Sequence, residues 1–252
     1  KTTRVFRGEE YMAKQGKKYD EVKKAVDPKV AYDLDQAMKL LEETKTAKFD
    51  ETVEVAVKLG IDPRQANQQI RAGMMLPHGI GKDIRVVVFA KDEKQREAKD
   101  AGADHVGLDD LIEKISGEGW LEFDVSIATP DVMNIVAKLG KVLGPRGLMP
   151  SPKVGTVTFD VAQAVKEAKA GRIEVKNDKG GVVHAPIGKV SFGPERLKDN
   201  FLVFMDTLIK MKPATSKGTF VKRITVANTM GPGIKVDFID VRDELKGARV
   251  AA

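Results

Sequence analysis

Leu143-Gly-Pro-Arg-Gly-Leu-Met-Pro-Ser-Pro-Lys-Val-Gly-Thr156 separates two different grammars in this chain. It holds Gly144, Gly147 and Gly155 among Pro145, Pro150 and Pro152, with Arg146 and Lys153 as its only charges. Proline fixes φ and lacks an amide donor, while glycine permits backbone shapes that other residues avoid. The stretch therefore reads as an ordered, stiffened loop, neither helix nor central strand. The residues before it read mostly as strand–helix repeats, and those after it mostly as antiparallel strands.

Upstream, residues 84–141 alternate. Ile84–Ala90 is a continuous apolar run, as in a parallel strand covered on both faces. A helix over Asp92–Ala101, a strand over Asp104–Gly107 and a helix over Leu108–Ile115 come next, then a strand over Asp124–Ala128. Thr129 is placed to cap a helix that has Pro130 at its first position and runs to about Leu139. After the loop come Val157-Thr158-Phe159 and a helix capped by Asp160 that ends before Gly171. This order predicts a small three-layer α/β, Rossmann-like domain.

Downstream, Arg172–Lys176 and Val182–Pro186 flank Asn177-Asp178-Lys179-Gly180-Gly181, which reads as a hairpin with a glycine turn. A helix over Pro194–Met211 carries Leu197, Phe201, Met205, Leu208 and Ile209 on one face. Strands are expected at Val221–Ala227 and Ile234–Phe238, around the tight turn Asn228-Thr-Met-Gly-Pro-Gly233. The charged stretch 239–252 reads as a mobile tail.

At the other end, residues 1–30 form a polar, basic arm with nine Lys/Arg against five Asp/Glu. Met12 suits a natural start, which would make 1–11 an extension. Asp33 or Asp35 is expected to cap a helix bearing Ala37, Met38, Leu40 and Leu41. Phe49, Glu51, Val53, Val55, Val57 and Leu59 then alternate with more polar residues, the pattern of a half-buried strand. A second strand is expected in part of Gln65–Gly73. These early strands need partners, and the later antiparallel strands supply them. The economical arrangement is one discontinuous antiparallel α+β domain, residues 1–80 plus 171–238, with the α/β domain 81–170 inserted into it.

Charge supports that division. Residues 81–170 carry 13 Lys/Arg and 15 Asp/Glu, net −2. The whole chain has 43 and 37, so the remainder holds 30 against 22, net +8. The discontinuous domain is the basic one and the better candidate for nucleic acid.

Several chemistries fail on inventory. The absence of cysteine removes disulfides and thiolate metal sites and suits a reducing, cytoplasmic compartment. His78, His105 and His184 are the only histidines and none has metal-binding spacing, so no metal is expected. No apolar run nears the roughly 20 residues of a membrane span. Pro77-His-Gly-Ile-Gly-Lys82 looks like a phosphate loop, but it precedes a strand instead of opening a helix. Ile84–Ala90 is followed by Lys91-Asp92-Glu93, where acidic residues would repel phosphate. The α/β domain is therefore expected to be non-catalytic, with no cofactor. A nucleotide-dependent α/β enzyme is the alternative. Sparse aromatics, 6% of residues, argue against a stacking platform for single strands.

Three local features of the basic domain suit RNA. Thr46-Ala-Lys48-Phe49 sets a cation beside an aromatic at a strand entrance. Lys176, Asp178 and Lys179 occupy a polar hairpin tip, with His184 nearby in sequence. Thr229, Met230, Gly231 and Pro232 combine a hydroxyl, a flexible apolar side chain and bare backbone. Each alone also fits an ordinary turn or hydrophobic anchor. Together, on the basic domain, they favour an RNA surface.

The chain also resembles the bacterial large-subunit ribosomal protein L-one family, the proteins of the mobile stalk beside the tRNA exit site. The matching pieces include Met12–Tyr19, Thr46–Glu54, Leu76–Gly79, Ala101–Asp104, Ala128–Met133, Leu143–Thr156, Ala170–Ile173, His184–Pro186, Lys217–Phe220 and Thr229–Pro232, spread over about residues 12–236. The resemblance implies two domains, the second inserted in the first. It implies binding to the stalk region of 23S ribosomal RNA, assistance in releasing deacylated tRNA from the exit site, and repression of the protein's own operon mRNA. It further implies RNA contacts at Phe49 and its neighbours, at the hairpin around Asp178 and at Thr229-Met230-Gly231. On this reading Lys48, Lys176, Lys179 and Lys217 meet phosphates, and Gly218 and Thr219 lie beside them. Gly81, Arg146, Lys153 and Gly171 are expected at the domain hinge or a second RNA contact. Outside the ribosome the protein is expected to be a monomer with no membrane partner.

Overall fold

The computed structural model describes residues 16–251. The 1–11 extension and the first half of the basic arm lie outside them. Helices α1 (Lys17–Lys23) and α2 (Leu34–Glu43) lead to β1 (Thr52–Leu59) and β2 (Arg71–Met75). Next come β3 (Val86–Phe89), α3 (Asp92–Asp100), β4 (His105–Gly107), α4 (Asp109–Glu113), β5 (Val125–Ala128), α5 (Met133–Val136), α6 (Gly140–Leu143) and α7 (Val161–Lys169). The chain closes with β6 (Arg172–Lys176), β7 (Val182–Lys189), α8 (Gly193–Lys210), β8 (Val221–Asn228), β9 (Ile234–Val236) and α9 (Phe238–Ala251).

Two strand systems result, built from different parts of the chain. β7-β1-β8-β9 form an antiparallel sheet, and β2 pairs antiparallel with β6. Strand β1 buries Val53, Val55, Val57 and Leu59 on one face, as its alternation requires. These pack with Leu34, Met38 and Leu41 of α2 and Leu197, Phe201, Phe204, Met205 and Leu208 of α8 in one core. β4-β3-β5 form a parallel sheet, and Val157 adds a parallel bridge beside Ala128. All four residues of β3 are buried, because the strand feeds two cores. Val87 and Phe89 join Leu111, Ile115 and Leu139 on one face, while Val86 and Val88 join Ala98, Val161 and Val165 on the other. This is the three-layer insertion, and no core residue of the antiparallel system comes from it.

The structure departs from the sequence expectations at four places. First, 239–252 is not a mobile tail through most of its length. Residues 238–251 form α9, with Val241 and Leu245 buried in the antiparallel domain's core. The carboxylate of Asp240 accepts the Leu34 N–H at 2.8 Å. That bond serves the start of α2, where Asp33 holds the N-cap position without a side-chain bond. Second, β6 and β7 pair only at their turn, where Asn177 bridges Val183 and the Asp178 N–H bonds the Val182 carbonyl at 2.8 Å. Their turn is closed by the Asp178 carboxylate on the Val182 N–H at 2.7 Å and by Gly181 at φ +73°. The strands then diverge, β6 to β2 and β7 to β1, because buried Asn177 ties the end of β6 to Ile70 N–H at 2.7 Å. Third, the helix after Thr129 is broken into short 3₁₀ and α turns up to Leu143, and Thr129 makes no side-chain cap bond. Fourth, the last strand stops at Val236, two residues short of Phe238.

Asp160 caps α7 as expected, accepting the Gln163 N–H at 3.2 Å. The Leu143–Thr156 loop lies against the antiparallel domain. Arg172, at the start of β6, donates to the Val154 carbonyl and pairs with Glu167 of α7. A Cβ on Gly73 of β2 would come 2.6 Å from the same Val154 carbonyl oxygen.

Candidate nucleic-acid interface

The predicted residues gather in two clusters at opposite ends of β1, about 24 Å apart at strand rise. The first is built around Glu51, which is fully buried. One carboxylate oxygen accepts N–H bonds from Thr46 at 2.9 Å and Ala47 at 2.8 Å. The other accepts the Met230 N–H at 3.0 Å. Burial alone would raise the Glu51 pKa, but the three N–H bonds outweigh it and hold the group below its ordinary value. One ionised carboxylate thus joins two segments more than 180 residues apart.

Around it, Thr229 hooks onto Thr52 at the start of β1. Its hydroxyl accepts from Thr52 N–H at 3.0 Å and donates to the Thr52 carbonyl at 3.1 Å. Buried Asn228 donates to the Leu41 carbonyl at 2.6 Å, tying the turn to α2. The result is a rigid platform from which two large apolar side chains stand clear, Phe49 at 54% exposure and Met230 at 56%. Phe49 is therefore no core anchor. Lys48 is exposed beside it, and Gly231 is partly open, whereas Pro232 is buried under the turn.

The second cluster is set at the far end of β1. The Leu59 N–H bonds the Gly181 carbonyl at 2.9 Å, and the Gly60 N–H bonds the Phe220 carbonyl at 2.6 Å. These bonds bring the 177–181 turn and the 216–220 segment together, with Lys176, Asp178, Lys179, Lys217, Gly218 and Thr219 all exposed. The Asp178 carboxyl is held below its usual range, first by its bond to the Val182 N–H. His184, on edge strand β7 opposite Ala56, reaches the second cluster with its ring 3.9 Å from the Asp178 carboxylate.

The four residues expected at the hinge also separate by role. Gly171 is buried at φ +101°, and a Cβ there would lie 2.5 Å from the Gly79 Cα, so the two connections between the domains cross in contact. Gly81 has φ +66° and faces Lys189 and Phe192. Fully buried Asn200 of α8 clamps the first connection, accepting from His78 N–H and donating to the Gly79 carbonyl at 2.9 Å. Arg146 lines a cavity of about 240 Å³ with Asp124, Thr156 and Arg172. Lys153 faces Lys176 and Lys179 across a cleft of about 550 Å³.

Sequence reading missed Glu51, Thr52, Asn228, Asn200 and Arg172. Only Glu51 left a local signal, an acidic residue at an inward position of an alternating strand. Thr52, Asn228 and Asn200 act through partners more than a hundred residues away, and Arg172 through Glu167 and Val154 across the domain junction.

The insertion offers little for catalysis. The turn from β3 to α3 is Ala90-Lys91, without glycine. Among the described residues, no group of three or more His, Asp or Glu side chains stands close enough to hold a metal ion. No described helix is long and apolar enough to cross a membrane. A basic antiparallel domain with a rigid polar platform, carrying an inserted α/β domain that lacks a phosphate loop, defines the class of two-domain RNA-binding proteins. A model of the Ribosomal protein L1p/L10e family matches residues 41–232, and the chain belongs to that family. It is accordingly a structural ribosomal protein that binds ribosomal RNA in the large subunit, in a family that is not enzymatic.

Proposed function

We propose that the protein binds the stalk region of 23S ribosomal RNA, helps deacylated tRNA leave the exit site, and represses translation of its own operon mRNA by binding a mimic of the ribosomal site. Residues up to 80 and from 171 onward form the RNA-gripping body, and 81–170 swing about Gly81 and Gly171. Free of the ribosome it acts as a monomer. The observation that carries the reading is the Glu51-centred platform. A buried carboxylate and two hydroxyl bonds hold Phe49, Met230 and Gly231 in one fixed array.

Such an array suits RNA recognition by shape. Met230 and Phe49 pack on ribose and base faces, the bare backbone at Gly231 allows close approach, and Lys48 meets phosphate. Lys176, Lys179 and Lys217 hold phosphates at the other end of β1, and Lys153 and Arg146 make a second contact from the insertion. Binding is then strongly salt-dependent. Filter binding of Thr229→Val and Met230→Ala to a stalk rRNA fragment and to the operon mRNA leader tests this. Thr229→Val is expected to lose on the order of 1–3 kcal/mol on both RNAs, because its hydroxyl is an internal bond of the platform. Wild-type affinity in both variants refutes the reading.

A further inference from the structure

The cavity of about 240 Å³ that Arg146 and Arg172 line has walls from both domains. β5, the 146–156 loop and α7 supply the insertion's side, and residues 172–174 of β6 supply the antiparallel domain's side. Ile127, Leu148, Met149, Ala164 and Ala168 make much of the wall apolar. Four of its polar side chains are already engaged. Asp124 pairs with Lys82 at 2.6 Å and Arg85 at 3.4 Å, and Glu174 pairs with Arg71 at 2.8 Å. The Ser126 hydroxyl donates to the Leu148 carbonyl, and the Thr156 hydroxyl accepts the Ser151 N–H at 2.8 Å. The two arginines keep spare donors. Arg146 is exposed and has no carboxylate partner among the described residues. Arg172 uses its terminal nitrogens on Glu167 and the Val154 carbonyl, which leaves its Nε buried without a hydrogen-bond partner. An unbonded buried donor is costly, so this cavity favours an occupant that brings an acceptor.

We propose that the junction cavity is a binding site for a small organic acid, its carboxylate held by Arg146 and the Arg172 Nε–H and its apolar body set against Ile127, Leu148 and Ala168, and that the bound acid ties the insertion to the antiparallel domain. The chemistry selects the occupant. The acids of the wall are matched by Lys82, Arg85 and Arg71, so the unmatched charge is positive. Guanidinium groups suit the planar fork of a carboxylate. Sites for drug-sized ligands run to roughly 300–1,000 Å³, so a nucleotide is too large here and a monocarboxylate fits. Such sites favour domain interfaces, and an occupant that touches both walls stabilises the arrangement that joins them. The proposal stands apart from the RNA reading, because Arg146 is the one cavity side chain that the RNA surface also uses.

The test titrates the isotope-labelled full chain with benzoate, phenylacetate and hexanoate, followed by amide NMR, with benzyl alcohol as the uncharged counterpart. Saturable shifts at residues 124–127, 146–156 and 164–174 are expected with at least one acid. Benzyl alcohol should bind about tenfold more weakly, and amide exchange at residues 151–156 should slow in the bound protein. Arg146→Gln, a surface substitution outside the core, is expected to weaken the acid about tenfold. Ala168→Leu fills the cavity and should abolish binding. Its own amide spectrum reports whether the fold survives, and Arg146→Gln decides the matter if it does not. The site is overturned by an absence of saturable shifts with all three acids, by shifts that map elsewhere, by equal affinity for benzyl alcohol, or by wild-type affinity in Arg146→Gln. Binding without slower exchange overturns the tie between the domains.

Discussion

Replacing Glu51 by glutamine is the sharpest probe of how this protein holds its site. The wild-type carboxylate accepts three backbone N–H bonds, two on one oxygen and one on the other. Glutamine keeps the shape but has one acceptor oxygen. If that oxygen faces Thr46 and Ala47, its NH₂ meets the Met230 N–H, donor against donor. The opposite rotamer strands two donors instead of one. A buried unsatisfied donor costs about 1–3 kcal/mol, and the remaining bonds drop from charge-assisted to neutral strength. We expect a loss of about 2–4 kcal/mol in urea unfolding near neutral pH. RNA affinity falls as well, because the Met230 turn loses its tether to the Thr46–Phe49 segment. The pH dependence has a definite sign. The Glu51 pKa is depressed in the fold, so its stabilisation is present above the ordinary value of 4.5 and is lost as pH falls through the lower native value. The gap between wild type and Glu51→Gln should therefore narrow in acid. A glutamine variant within about 0.5 kcal/mol of wild type at pH 7, with unchanged rRNA binding, would refute the argument.

Three further outcomes are expected. Gly171→Ala forces a left-handed φ on a residue with a Cβ and drives that Cβ against Gly79, so its thermal midpoint should drop, with a cost of about 1–3 kcal/mol before any clash. Leu245→Ala should destabilise the protein by about 2–3 kcal/mol in urea titration, since α9 is part of the core; an unchanged midpoint would mean the helix is dispensable. Arg172→Lys keeps the charge but not the fork that holds Val154 and Glu167 together, and amide exchange in residues 151–156 should accelerate; identical protection would remove Arg172 from that role.

The insertion was legible in the sequence because its signals are local. A parallel strand buried on both faces must read as an apolar run, as Val86–Phe89 does, and a helix opening on Asp160 announces its own start. The pairing of early with late strands was legible by elimination, since β1 had no credible partner until β7 and β8 arrived more than a hundred residues later. The divergence of β6 from β7 was not legible, because a glycine turn between two short strands has the same local signature whether they pair or separate. The helix at 238–251 was missed for a related reason. Its pattern is polar and charged, and among its described side chains Val241 and Leu245 are buried in the core with Phe238 packed against it.

The sequence by itself determined the inward and outward sides of β1 from Val53 to Leu59 and the chemistry that the polar turns carry, though not that Phe49 stands clear. The alternation of β1, the exposed cations and the Thr-Met-Gly turn arise from side-chain type and period, which are properties of the chain alone. The tertiary structure alone decided that Thr46–Phe49 and Thr229–Gly231 share one buried carboxylate, and that the lysine turns lie at the opposite end of the same strand. Those facts rest on hydrogen bonds and register between segments far apart in sequence. Proximity of that kind is set by closing long loops around a common core, and no local pattern records it.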